Sequence, residues 1–344
     1  MRQTFLAVLS LCAIAVLLTG CSGDIVIFNS KGQIGIEQRD LIIISFVLML
    51  LVVIPAIFMT FYFGWKYRQG NGSAEYLPKW AHSTKIEIVV WGVPILIICA
   101  LAYLAGTRSF SLDPYKPITA EKVAQSVQNN PDQAIANQAK KQPVTIQVIA
   151  EQWKWVFIYP EQNIATVNEI VLPVNTPINF RITSNSVMNS FFIPQLGGQV
   201  YAMAGMQTQL HLIADELSDR DGKPGIGPDD GYRGISANYS GYGFSNMRFR
   251  AHSVTDAEFN AWVNQVKASP QTLDMAKLHA LRDDPKNRPH HPHPVTYFSS
   301  VEPNLFKVVI DQYMAAQHNH TASQASHESG HAAGEGSHTA VVEE

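Results

Sequence analysis

Two long stretches without charge limit this chain's folding more than any other feature. Residues 41–64, "LIIISFVLMLLVVIPAIFMTFYFG", run for 24 residues with no charged side chain. At ~1.5 Å per residue such a helix reaches ~36 Å, enough to cross a hydrocarbon core of ~30 Å. Residues 86–106, "IEIVVWGVPILIICALAYLAG", form a second run with one acid near its start. Between them lie Lys66, Arg68, Lys79 and Lys85 against a single acid, Glu75. The excess of positive charge assigns that loop to the cytoplasm, so both ends of the hairpin face outward. Pro55 and Pro94 fall inside the runs. Neighbouring helices absorb such kinks, which points to packing against a larger partner.

The amino terminus agrees with that topology. One arginine precedes an apolar run from Phe5 to Leu18. As a helix it spans only ~21 Å, too short to cross, and it has the form of a secretory signal. The run closes on Leu18-Thr19-Gly20-Cys21, which resembles the bacterial lipobox. Residues 1–20 are therefore expected to be a lipoprotein signal peptide, and Cys21 the lipid-attachment site and first mature residue. Residues 21–40 then form a short periplasmic segment.

Glu87 is the one acid in the second run. A carboxylate at the edge of a span marks a functional candidate. A helix dipole also favours an acid in its first turn, and Lys85 is close in sequence. Spacing alone leaves both readings open.

Beyond the spans the text changes. From 143 to 254 the chain reads as short runs with period-2 alternation separated by Pro, Asn and Gly turns: "VTIQVIA", "WKWVFIY", "EIVLP", "INFRITS", "TQLHLIA" and "MRFRAHS". Such spacing predicts an antiparallel sandwich or barrel. The stretch 218–231 is a polar excursion; its Asp219, Asp221, Asp229 and Asp230 suggest a calcium loop, but the third ligand position is Lys223, so a solvated loop is expected. In residues 255–315 two helices are expected. The first, 255–269, opens on the capping box Thr255/Glu258 and shows Phe259, Trp262, Val263 and Val266 on one face. The second, 303–316, carries Leu305, Val308, Val309, Gln312 and Tyr313 as a stripe. His290, His291 and His293 sit in a proline-rich segment that suits a tetrahedral metal site poorly. Residues 316–344 are rich in Ser, Ala, Gly, His and Glu and read as a disordered tail able to chelate metal weakly.

Composition narrows the function. Net charge is −3 without a basic stripe, which argues against a nucleic-acid partner. The three cysteines, Cys12, Cys21 and Cys99, all precede residue 100, so the outer region has no disulfide and no thiolate ligand. No P-loop, nucleophile elbow or zinc-protease signature is present.

A lipobox, two spans and an outer β domain are the layout of subunit II of the haem–copper respiratory oxidases. The text resembles that family in detail: "KIEIVVWGVPILI" its second helix, and residues 151–214 the outer domain of its ubiquinol-oxidase branch, the cytochrome bo type. The resemblance runs from about residue 31 to 315. It implies a two-helix transmembrane hairpin (41–64 and 85–107, joined by a cytoplasmic loop 65–84), a linker 108–142, an all-β cupredoxin-like Greek-key sandwich 143–254, and C-terminal helices.

In the cytochrome c oxidase branch that sandwich holds a dinuclear copper centre. Its ligands come from an H-S-W/F-x-x-P segment and a C-x3-C-x3-H-x2-M loop. Here Asn189 stands in place of the first histidine, and Ser236, Ser240 and Phe244 in place of the two cysteines and the second histidine. Asn238 replaces the usual acid, and only Met247 remains. Copper sites need soft thiolates and imidazoles, so the resemblance implies a vacated site and no metal on this chain. Trp153 matches the aromatic that receives electrons from cytochrome c in the other branch, and packing is its expected role here.

Electrons then come from a lipid-soluble donor, ubiquinol, oxidised on subunit I. Haem b, haem o, one copper and ubiquinone are expected there, with subunits I, III and IV and membrane lipid as partners and no cytochrome c. Glu87 matches the acid at the mouth of the family's K pathway for proton uptake. The expected whole is a non-catalytic subunit of a proton-pumping ubiquinol oxidase in a bacterial inner membrane, its outer domain periplasmic. Two alternatives are a menaquinol oxidase subunit and a His-rich lipoprotein that delivers copper.

Overall fold

A computed structural model describes residues 25–72, 82–129, 142–218, 230–283 and 293–314. Helix α1 spans Gln33–Lys66 and α2 spans Thr84–Ser111, so both continue past their uncharged runs. Pro55 and Pro94 lie inside them without ending either helix. The two helices contact one another. Yet only Gln33, Ile34, Gly35 and Ile97 are buried, while side chains such as Phe58, Phe61, Trp91 and Leu96 are exposed. Apolar surface on that scale needs lipid or another subunit to cover it.

The linker expected over 108–142 contains a third helix, α3, Ala120–Asn129. It is anchored by polar side chains, which periodicity of apolar residues does not reveal. Lys122 Nζ reaches Glu37 of α1 at 3.1 Å, and Gln33 donates to Gln125 at 2.8 Å. Buried Ser126 donates to Asp215 at 2.6 Å, and Asn175 Oδ1 lies 3.0 Å from the same hydroxyl. One short helix thus ties the hairpin to the outer domain.

The outer domain is a sandwich. Strands β1 (Val144–Glu151), β2 (Lys154–Tyr159), β3 (Ile164–Val167), β5 (Ile178–Ser184), β8 (Thr208–Leu212) and β12 (Thr296–Phe298) form one sheet in the order β12-β3-β2-β1-β5-β8. Strands β4 (Glu169–Pro173), β6 (Asn189–Phe192), β7 (Gln199–Ala202), β9 (Tyr232–Ser236) and β10 (Arg248–Val254) form the other, ordered β4-β10-β9-β6-β7. Both are mixed: β1 runs parallel to β5 and β4 parallel to β10, which corrects the all-antiparallel expectation. Phe157, Phe180, Phe191 and Phe249 fill the space between the sheets, with Phe191 and Phe249 stacked at 5.2 Å.

The C-terminal region is not purely helical. It holds α4 (Asp256–Lys267), β11 (Thr272–Leu273), α5 (Met275–Arg282), β12, β13 (Ser300–Val301) and a helix α6 over 305–314. The Thr255/Glu258 capping box forms, and Phe259, Trp262, Val263 and Val266 are buried together. In α6 the buried residues are Leu305, Phe306 and Val309, whereas Val308 is 40 % exposed. The expected stripe is therefore turned, because α6 packs on the outer face of the larger sheet with Leu278 and Leu281 of α5. Strands β2 and β3 are buried on both faces for the same reason, so their buried residues do not alternate with exposed ones.

The outer domain rests directly on the first turn of α1. Gly35 N–H donates to the Leu196 carbonyl at 3.0 Å, and Gly198 N–H to Gln38 Oε1 at 3.2 Å. Gly197 has φ +80°, and a Cβ there would meet Gly35 Cα at 2.7 Å. Only two glycines allow that approach.

Candidate functional site

One end of the smaller sheet brings together the six residues singled out as vacated ligand positions. Asn189 opens β6 and Ser236 closes β9, neighbouring strands in register at Phe191 and Ser236. The Ser236 hydroxyl donates to Asn189 Oδ1 at 3.1 Å. Backbone bonds complete the cradle: Ala237 N–H to Ser190 O at 3.0 Å, Ser236 N–H to Met247 O at 3.1 Å, and Met247 N–H to Phe244 O at 3.0 Å. Asn238 Nδ2 donates to the Met188 carbonyl at 3.3 Å. Met247 is fully buried in the core, and Phe244 packs against Tyr239 at 5.1 Å. Ser240 lies in the same loop, its hydroxyl without a protein partner among the described residues.

The donor set is two hydroxyls, two amides, a phenyl ring and a thioether. It does not fit a dinuclear copper centre, which needs thiolate and imidazole. The loop is held instead by Trp153. A Cβ at Gly241 or Gly243 would come within 2.4 Å or 2.2 Å of the indole, so the loop backbone lies flat on that ring. The ring is part of the core's edge.

Beside Trp153 lies Glu151, wholly buried. Its Oε1 accepts from Asn185 Nδ2 at 2.5 Å. Burial pushes the carboxyl up to about 8, against the lowering effect of Asn185 and of the Lys154 charge. Buried Lys154 donates to the Gln152 carbonyl at 2.8 Å and to the Leu281 carbonyl of α5. Tyr313 of α6 donates to the Asn185 carbonyl at 2.5 Å. A second buried acid, Glu169, accepts from Tyr297 at 2.7 Å and Trp262 at 3.1 Å, and burial raises its pKa despite both bonds. Period-2 patterning had no means of marking either acid. Each begins or ends a strand, and its partners are distant in sequence.

Glu87 sits in the first turn of α2, half exposed. Its Oε1 lies 2.5 Å from His82 Nδ1. The sequence reading named Lys85 as its neighbour and missed His82. A search for ionisable residues within five positions of Glu87 finds it. Cys21, the Asp-rich stretch 219–229, His290, His291 and the tail from 315 lie outside the described residues. His293 is described, and its Nδ1 lies 2.7 Å from the Pro294 carbonyl. Among the described residues no group of three or more His, Cys, Asp or Glu could hold a metal.

Comparison with known proteins matches two families. "Cytochrome C oxidase subunit II, periplasmic domain" covers residues 162–222, and "COX Aromatic Rich Motif" covers residues 267–317. The chain is 49 % identical to cytochrome bo(3) ubiquinol oxidase subunit 2 of Pseudomonas putida, over 86 % of this chain and 82 % of that protein. It is 50 % identical to ubiquinol oxidase subunit 2 of Acetobacter aceti, over 87 % of this chain and 85 % of its relative. Quinol oxidase subunit 2 of Bacillus spizizenii matches at 34 %, over 80 % and 77 %. Its two apolar helices, its mixed β sandwich and this identity along nearly the whole length assign the chain to the family of subunit 2 of cytochrome bo(3)-type ubiquinol oxidases.

Proposed function

We propose that this chain is the non-catalytic second subunit of a complex in which ubiquinol is oxidised and oxygen reduced to water. Two ubiquinols yield the four electrons and four protons that turn one O2 into two waters. Electrons pass from quinol to haem b, haem o and one copper, all assigned to subunit I, and bypass this chain. The single observation that carries the reading is the identity of 49–50 % to two ubiquinol oxidase subunits, against 34 % to the Bacillus quinol oxidase. The donor set at Asn189, Ser236 and Ser240 agrees with it, since a cytochrome c acceptor would need copper there. The same identity favours this reading over a menaquinol oxidase subunit or a copper-delivery lipoprotein.

In this reading α1 and α2 cross the inner membrane against subunit I, with subunits III and IV in the same complex, and Cys21 carries lipid. The outer domain is periplasmic. Glu87 then stands at the cytoplasmic surface, where its carboxylate takes up protons for subunit I. Purification of the complex tests the reading. Haem absorption and oxygen uptake driven by ubiquinol are expected to co-purify with this chain. A haem-free preparation, or activity with menaquinol alone, contradicts it.

A further inference from the structure

A cavity of about 280 Å³ opens where the hairpin, α3 and the outer domain meet. Its apolar wall includes Ile34, Leu112, Ile118 and Leu210, and its polar wall carries Lys116, Lys122, Asp113 and Glu121. Buried His211 closes one side, its Nδ1 donating to the Pro114 carbonyl at 3.0 Å and so fixing the 112–119 loop to β8.

Height relative to the membrane follows from the helices and rests on their being spans, as proposed above. Ile34 lies seven residues before Leu41, where the uncharged run of α1 begins, and Ser111 lies five beyond Gly106. Those separations are ~10 Å and ~8 Å along a helix. The polar layer outside the hydrocarbon core is ~5–8 Å thick on each side. The cavity therefore stands at the outer edge of the headgroup layer. Phe110 and Tyr115, exposed beside it, are the aromatic residues expected at that depth.

The lining carries two ammonium groups and two carboxylates, and Glu37 behind Lys122 is in turn matched by Arg108 at 3.9 Å, so the charges balance. An anionic ligand alone would leave both acids facing like charge. A zwitterion with a phosphate and a primary amine matches them. Lys116 uses one N–H on the Phe110 carbonyl at 2.5 Å and keeps two for a phosphate. Lys122 is bonded to Glu37 at 3.1 Å and the Ser111 carbonyl at 3.2 Å, leaving one. Asp113 Oδ1 accepts from Tyr115 N–H at 2.9 Å, and the rest of that carboxylate is available to an ammonium.

We propose that this cavity binds the headgroup of an outer-leaflet phosphatidylethanolamine and thereby ties the angle between hairpin and outer domain to the membrane surface. Native mass spectrometry tests this on the whole purified complex in nanodiscs of phosphatidylethanolamine and phosphatidylglycerol. Asp113→Asn together with Lys116→Gln should lower occupancy of one phosphatidylethanolamine per complex at least tenfold. In nanodiscs where phosphatidylcholine, which cannot donate to Asp113, replaces that lipid, the wild type should not retain one phosphatidylcholine per complex in its place. A photo-cross-linking residue at Pro117 should label phosphatidylethanolamine. Unchanged lipid occupancy in the variant, labelling of another polypeptide, or no labelling overturns the proposal. Haem absorption is read on every sample, so a chain that belongs to no oxidase is told apart from an oxidase whose cavity holds no lipid.

Discussion

The hydroxyl of Ser236 and the side-chain carbonyl of Asn189 meet at 3.1 Å across two strands, closing the cradle with a hydrogen bond between protein groups. Both residues are buried. Ser236→Ala should leave the Asn189 carbonyl unsatisfied and cost about 1–3 kcal/mol. Thermal unfolding of the complex reads that loss. Ubiquinol oxidation at ordinary temperature should be unchanged, since the function proposed above routes no electron through this point.

Glu151 makes stability depend on pH. Its folded pKa, about 8, lies above the ordinary carboxylate value of 4.5, so the folded chain holds a proton that the unfolded chain releases. The stability it contributes is complete below pH 4.5 and falls until the pH passes about 8. Glu151→Gln should flatten that slope and raise the melting temperature at pH 8. Hydrogen exchange in 305–314 reports it locally, because Tyr313 is bonded to the same Asn185 that Glu151 contacts. An unaltered slope in the variant contradicts the assignment.

Gly197 and Gly35 set how closely the outer domain approaches α1. Gly197→Ala combines a left-handed backbone, costing about 1–3 kcal/mol, with a Cβ at 2.7 Å from Gly35 Cα. Reduced recovery of the assembled complex is expected, whereas Gly64→Ala, where a Cβ meets nothing among the described residues of this chain, should assemble normally.

Glu87→Gln removes the titratable carboxylate and keeps the shape. Oxygen reduction by the purified complex should slow several-fold with haem content unchanged. His82→Gln, which keeps a polar partner beside Glu87, should have the smaller effect. Equal turnover of wild type and Glu87→Gln at neutral pH would remove Glu87 from proton uptake.

Apolar patterning made much of the fold legible, and it failed where structure rests on polar side chains. The spans and the Thr255 capping box are written in local sequence. Helix α3 is held by Lys122, Gln125 and Ser126, whose partners Glu37, Gln33 and Asp215 lie far along the chain. Strands β3, β6 and β7 are only four residues long, too short for alternation to declare itself. In the cradle the informative signal was substitution: Asn189, Ser236 and Ser240 matter through the chemistry they cannot perform. Trp153 beneath Gly241 and Gly243 was visible only in three dimensions.

Copper quantified per complex, with the near-infrared spectrum of the same sample, bears most directly on whether electrons bypass this subunit. One copper, all of it with the catalytic subunit, and no near-infrared band from a dinuclear centre is the expected result. Additional copper that stays with this chain after the subunits are separated, carrying that band, would contradict it.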